Sequence, residues 1–147
     1  IYAWCTKEFK NLNRLEQAGV RVPHPRRFLK NVIVMDYIGD GVMAAPQLRS
    51  VRLDGPQKVY REIVRFMKRA FQKAKLVHGD LSEYNILVHE GAPYIIDCGQ
   101  AILTDHPNAI DFLKRDVKNV NRYFRSIDVK VWSDETVLRY VQGVREK

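Results

Sequence analysis

Apolar residues recur at helical spacing from Trp4 through Phe9, Leu12 and Leu15 to Ala18, and the run stops at Gly19, which suits a helix C-terminus. The pattern predicts a first helix over residues 4–18, carrying Glu8. Pro23 and Pro25 then impose an extended connection, and the β-branched run of residues 31–38 predicts a buried strand that turns at Gly39-Asp40-Gly41. No regular period runs through Ala44-Ala45-Pro46. A second helix follows, with Asp54-Gly55 as its cap and Pro56 in its first turn. It places Val59, Ile63, Phe66, Met67, Ala70 and Phe71 on one face and Lys58, Arg61, Arg65, Lys68 and Arg69 elsewhere. Residues 86–88 and 94–96 read as two short strands joined through Glu90-Gly91. Pro107 opens a third helix with Ala109, Phe112, Leu113, Val117, Val120 and Phe124 inward, and Ser133 caps a last one carrying Val137, Leu138 and Val141. The order helix, strand, helix, two strands, helix, helix predicts a segregated α+β domain rather than regular βαβ winding.

Composition narrows the class. A chain of 147 residues with 46% hydrophobic and 29% charged residues is expected to be one globular domain, and excludes disorder, collagen-like repeats and a disulfide scaffold. Its 25 Lys and Arg against 17 Asp and Glu give a net charge of +8, which favours anionic partners. Every apolar stretch falls far short of the roughly 20 residues of a membrane-spanning helix, so no membrane partner is expected. The start at Ile1 has neither an initiator Met nor a secretory pattern and reads as an internal position of a longer protein. Two cysteines, Cys5 and Cys98, are too few for a four-cysteine zinc site; as free thiols they suggest the reducing cytoplasm.

Chemistry concentrates in His78-Gly79-Asp80-Leu81-Ser82-Glu83-Tyr84-Asn85 and Ile96-Asp97-Cys98-Gly99-Gln100. Phosphoryl transfer from a nucleotide needs a carboxylate to orient the attacking oxygen and hard oxygen ligands to hold magnesium. Asp80, Asn85 and Asp97 supply that set, with the Asp-to-Asn spacing of five and the later Asp-x-Gly that kinase loops use. An Asp or an Asn alone would more often cap a turn; the joint pattern across a hairpin is what points to a site. His78, without a second histidine at ligand spacing, reads as structural.

These two loops, with His106-Pro107 and the segment from Phe112 to Val120, resemble the RIO family of atypical protein kinases, and Leu-Ser-Glu-Tyr-Asn is closer to its first branch. Trp4 to Leu12, Val22-Pro23, Met35 to Gly39 and Ala45 to Leu48 extend the resemblance to about Ser126. It implies a protein-kinase-like fold: residues 1–38 as the rear of the N-terminal lobe and the hinge, residues 39–147 as a complete C-terminal lobe. It implies ATP with Mg2+, or Mn2+, as cofactors. Asp80 becomes the catalytic-loop aspartate, Asn85 and Asp97 the metal ligands, and Asp97 also an acceptor of the phosphoryl group as an aspartyl-phosphate. Ser82, where ordinary kinases have Lys, would face the γ-phosphate. Met35, Asp36, Ile38, Leu87 and Ile96 would form the adenine site, and Glu8 would partner the phosphate-binding lysine. Read without the resemblance, Met35, Leu87 and Ile96 are equally compatible with plain core, and Glu8 with a solvated helix face.

The resemblance also implies a serine/threonine kinase or ATPase acting on a protein in maturation of the small ribosomal subunit, with the precursor subunit and ribosomal RNA as partners. No glycine-rich phosphate loop and no Val-Ala-x-Lys strand occurs in this sequence, so the 147 residues alone are expected to be inactive. That keeps open a pre-ribosome binding module lacking catalysis; a small-molecule or tRNA-modification-associated phosphotransferase, which shares the His-Gly-Asp-Leu and Ile-Asp-x-Gly loops, is a further alternative against which Ser82-Glu83-Tyr84-Asn85 and the segment from Phe112 to Val120 argue. Gly39-Asp40-Gly41-Val42-Met43-Ala44 matches a dinucleotide fingerprint, but Pro46 denies it the helix it should open.

Overall fold

A computed structural model describes residues 2–29, 32–40 and 43–143. Helix α1 (Tyr2–Gln17) buries Leu12 and Leu15 and ends as its sequence predicts: the Val20 N–H donates to Leu15 O at 3.0 Å and the Gly19 N–H to Glu16 O at 3.0 Å. With Gly19 at φ 86°, this is a Schellman closure that a Cβ would strain.

The segment after it differs from expectation. Residues 25–29 are not a mere connection but strand β1 (Pro25–Leu29), antiparallel to β2 (Val32–Met35) with a bulge beside Pro25. The predicted long strand thus stops at Met35. Asp36 to Ile38 leave the ladder, and a hairpin of β3 (Gly39–Asp40) and β4 (Met43–Ala44) follows. The glycine-rich stretch therefore pairs as strands instead of opening a helix, which removes the dinucleotide reading. Asn31 at the start of the predicted strand, Gly41 in the predicted turn, and the side chains of Trp4 and Cys5 lie outside the described residues.

Helix α2 (Pro56–Arg69) starts where expected, with Gly55 as its N-cap, no side-chain cap bond, and Pro56 in its first turn. Pro56 tolerates this because its missing N–H is an orphan of the first turn. A single π turn, Ala70–Ala74, extends the helix and ends at Lys75 in a left-handed conformation, φ 57°. Strand β5 (Leu76–Val77) pairs with β8 (Ile102–Leu103), and β6 (Ile86–His89) with β7 (Ala92–Ile95). The two-residue pair β5–β8 is too short to leave a periodic signature. Helix α3 (Ala109–Ser126) begins two residues after Pro107, and α4 (Asp134–Gln142) begins at the expected cap, where Ser133 Oγ accepts from the Thr136 N–H at 3.1 Å.

The core of the helical part is tied by a buried polar network. The Tyr60 hydroxyl on α2 donates to Asn121 Oδ1 on α3 at 2.6 Å, and Asn121 Nδ2 donates to Trp132 O at 3.0 Å and to Asp134 Oδ1 at 2.7 Å. Each polar atom buried here has a partner, which is what makes burying Tyr60 and Asn121 tolerable. The architecture is α+β: the described residues form four two-stranded sheets, and helices α2, α3 and α4 pack together. No helix of the described residues is long and apolar enough to cross a membrane.

Candidate active site

Strand β5 is fully buried and delivers the chain into the loop that begins at His78. His78 is structural, as its sequence context suggests. Its Nε2–H donates to Ile96 O at 2.8 Å, and Nδ1 accepts from the Asp80 N–H at 3.2 Å. Burial pushes its pKa down, so the ring is neutral and can play both roles. One imidazole thereby links the loop carrying Asp80 to the residue before Asp97.

The loop is gripped from below by α3. Asp116 accepts from the Gly79 N–H at 2.8 Å and from the Leu81 N–H at 3.0 Å, on different oxygens, and Arg115 donates to Gly79 O. Gly79 takes φ 87°, a conformation that the two bonds hold and that alanine would resist. Asp116 is 1% exposed; burial raises its pKa to about 6, against the pull of the two N–H donors, so it is ionised at neutral pH. Sequence reasoning places Asp116 within a motif but gives it no role. A signal for it exists: Asp116 falls on the inward face of α3, three residues after Leu113 and four before Val120, where a carboxylate is out of place unless it has buried donors to meet.

Within the loop, Asn85 Nδ2 donates to Asp80 O at 2.8 Å and approaches Asp80 Oδ2 at 3.3 Å. The amide nitrogen is thus spent on orienting Asp80, and the amide oxygen is left as a hard ligand. Asp80 is exposed. Ser82 is half-buried, and its Oγ accepts from the Tyr84 N–H at 3.2 Å, a brace within the turn that leaves its proton free to donate. The irregular segment before α2 buttresses the same turn: Gln47 Nε2 donates to Tyr84 O at 3.0 Å, the Arg49 N–H to Glu83 O at 3.2 Å, and the Arg49 guanidinium lies 4.8 Å from the Tyr84 ring centroid.

Across from it, the β7 side supplies Asp97 in a left-handed conformation, φ 59°. For a residue other than glycine this costs on the order of 1–2 kcal/mol and is held by its surroundings. Gln100 Nε2 donates to Asp97 O, and buried Asn11 of α1 donates to Cys98 O at 2.9 Å. Glu8, one turn before Asn11, comes beside this carboxylate: burial first, and the Asp97 charge second, raise its pKa. The Cys98 thiol, fully buried, is pushed up by burial and by the same two carboxylates, and stays protonated. Glu8 and Asp97 therefore concentrate negative charge on this side of the site. Asp97, Asn85 Oδ1 and Asp80 are hard oxygen donors of the kind a divalent cation takes.

The expected adenine residues divide by role. Met35, Leu87 and Ile96 are half-buried, whereas Ile86, Val88 and Ile95 are buried, so the first three keep some apolar area outside the closed core. The Asp36 N–H is taken by His24 O at 2.8 Å, and Ile38 O accepts from the Ala45 N–H at 2.9 Å. Asp36 thus has its carbonyl, and Ile38 its N–H, to offer to the edge of a base. The Asp36 side chain is committed elsewhere, paired with Arg26, which lowers its pKa.

The RIO domain family model matches residues 1–137. The chain belongs to the RIO family. The RIO-type serine/threonine-protein kinase Rio1 of Haloferax volcanii is 49% identical over 125 residues, 85% of this chain and 43% of its own. The human serine/threonine-protein kinase RIO1 is 39% identical over 143 residues, 96% of this chain and 25% of its own. The crystal structure of the Rio2 kinase-ADP/Mg2+-phosphoaspartate complex from Chaetomium thermophilum aligns with a TM-score of 0.83 at 27% identity, over 97% of this chain and 44% of that one. The fold is kinase-like, and this RIO chain spans less than half the length of those three relatives.

Proposed function

We propose that the RIO chain carries the phosphoryl-transfer centre of a serine/threonine protein kinase or ATPase of the first RIO branch, using ATP with Mg2+ or Mn2+. The observation that carries the reading is the Asp80–Asn85 bond facing Asp97 across the His78 bridge, with Glu8 completing the acidic side. In this reading residues 1–38 are the rear of an N-terminal lobe and the hinge, and residues 39–147 the C-terminal lobe. Asp36 O and Ile38 N–H hold the edge of adenine over Met35, Leu87 and Ile96. Asn85 and Asp97 hold the metal, which when bound neutralises charge on the phosphates. Asp80 takes the proton of an incoming hydroxyl, and Ser82 donates to the γ-phosphate.

Asp97 also serves as a nucleophile: a carboxylate oxygen forms a bond to the γ-phosphorus as the bond to ADP breaks, and water later cleaves the acyl phosphate, releasing phosphate and restoring the carboxylate. The phosphoaspartate of the Chaetomium thermophilum Rio2 complex supports this step. The family's work in small-subunit maturation extends the proposal to a cytoplasmic protein that acts on precursor ribosomes and contacts ribosomal RNA. The +8 charge supports an anionic partner.

The test uses the native protein that contains this chain. Incubation with γ-labelled ATP and magnesium is expected to give an acid-stable, hydroxylamine-labile label that Asp97→Ala abolishes. Asp80→Ala should lower steady-state turnover at least a hundredfold. Turnover that survives both substitutions would overturn the assignment, whereas no turnover by the unsubstituted protein would favour a binding module.

A further inference from the structure

Outside the two loops, a groove of about 380 Å³ lies between α2 and the turn after α1, lined by Arg21, Lys58, Arg61, Arg65 and Arg69, with Glu62 as the one carboxylate among its lining residues. Five cations against one carboxylate leave an excess of four positive charges. Lys58, Arg61, Arg65 and Arg69 follow one another at intervals of three, four and four residues, so they form a single stripe about 16 Å long on α2. Among the described residues none of these four has an ion-pair partner, and Lys58, Arg61 and Arg65 are exposed or half-exposed along the groove.

Two guanidiniums of the groove are held in place. Arg21 donates to Glu62 Oε2 at 3.0 Å and to Pro93 O at 3.2 Å, and lies 5.4 Å from the ring centroids of both Phe66 and Tyr94. Arg69 donates to Gly19 O at 2.9 Å. Side chains already ordered lose less entropy when a partner arrives, and a planar guanidinium takes a phosphate through two parallel bonds.

We infer that this groove binds the phosphate backbone of an RNA strand. The inference rests on the RNA part of the proposed function and adds the surface that would make the contact. A line of charges fits a linear polyanion, where one small anion would engage only part of it. A membrane surface would need apolar side chains at the mouth, and Phe66 is buried. A bound peptide would need a free sheet edge or apolar pockets to read it, and the remaining lining is charged.

The experiment titrates the native protein with a fluorescein-labelled single-stranded oligoribonucleotide by anisotropy, over a series of salt concentrations. Arg61→Glu with Arg65→Glu is expected to weaken binding at least tenfold and to reduce the slope of log K against log salt by about 1.4, the loss of two phosphate contacts on a single strand. The control pair Lys114→Glu with Lys118→Glu, exposed on α3, should leave both values near those of the unsubstituted protein. An unchanged slope in the first variant, an equal loss in the control, or displacement of the RNA by polyglutamate at matched charge would each overturn the inference, the last in favour of an acidic protein. Asp80→Ala leaves the groove intact and should retain full RNA affinity, so failure of the groove and failure of the catalytic reading are told apart.

Discussion

The two loops of the site are anchored in different ways. The loop carrying Asp80 is bound to the helical core: two of its backbone N–H groups end on the buried carboxylate of Asp116, and a carbonyl ends on Arg115. The loop carrying Asp97 hangs from α1: Asn11 holds Cys98 O, and Glu8 presses its charge against Asp97. His78 spans the two, and so does the Ile96 N–H, which donates to Asn85 O at 3.0 Å. One half is thus set when the helices pack, and the other leans in addition on α1.

The largest effect should come from Asp116→Ala. It strands the Gly79 and Leu81 N–H groups in the core, at about 1–3 kcal/mol each, so a loss of about 3–5 kcal/mol in urea unfolding is expected together with loss of turnover. A loss under about 1 kcal/mol would mean that the loop is held by something else.

The same carboxylate gives a pH signature. Its folded pKa of about 6 lies above its ordinary 3.8, so between those values the native state binds more protons than the unfolded state. Stability from this group is full below about pH 4 and is lost as pH rises through 6, in total about 3 kcal/mol. Urea midpoints of the unsubstituted protein and of Asp116→Asn, compared from pH 4 to 7, should diverge with that sign; a difference independent of pH would show that the carboxyl keeps its ordinary pKa.

The difference in anchoring also explains what is legible in the sequence. Asp80, Asn85 and Asp97 announce themselves because the roles proposed for them need fixed residue types at fixed spacing on contiguous chain. Asp116 supplies a bond to backbone from 35 residues or more away, and Asn11 one from 87, so no local pattern ties either to its loop. The four helices are legible by periodicity, since each buries a continuous apolar face. The two-residue strands β3, β4, β5 and β8 are not, because they have no room for an alternation, and β1 is hidden behind Pro23 and Pro25. The end of β2 at Met35 is invisible in the apolar run, yet it is what releases Asp36 O and Ile38 N–H from the ladder.

Asn11→Ala tests the other anchor. It removes a buried bond to Cys98 O and should cost about 1–2 kcal/mol, less than Asp116→Ala. The effect on function should be disproportionate: the strained backbone at Asp97 loses a support, so the magnesium concentration for half-maximal turnover rises several-fold while RNA affinity stays constant. Equal losses in stability and function for the Asn11 and Asp116 variants would erase the distinction between the loops.

The smallest effect, and the one with opposite sign, is expected from Glu8→Gln. In the absence of metal, Glu8 and Asp97 repel, and the raised pKa of Glu8 records partial burial first and that repulsion second. Replacing the carboxyl by an amide removes the repulsion while keeping the shape, so the metal-free protein should unfold at slightly higher urea concentration at pH 7, with the difference fading as pH falls and Glu8 of the unsubstituted protein takes up its proton. Turnover should fall in the same variant, because the charge that destabilises the empty site is the charge that draws in the cations. A variant that is neither more stable without metal nor weaker in turnover would show that Glu8 does not act on Asp97.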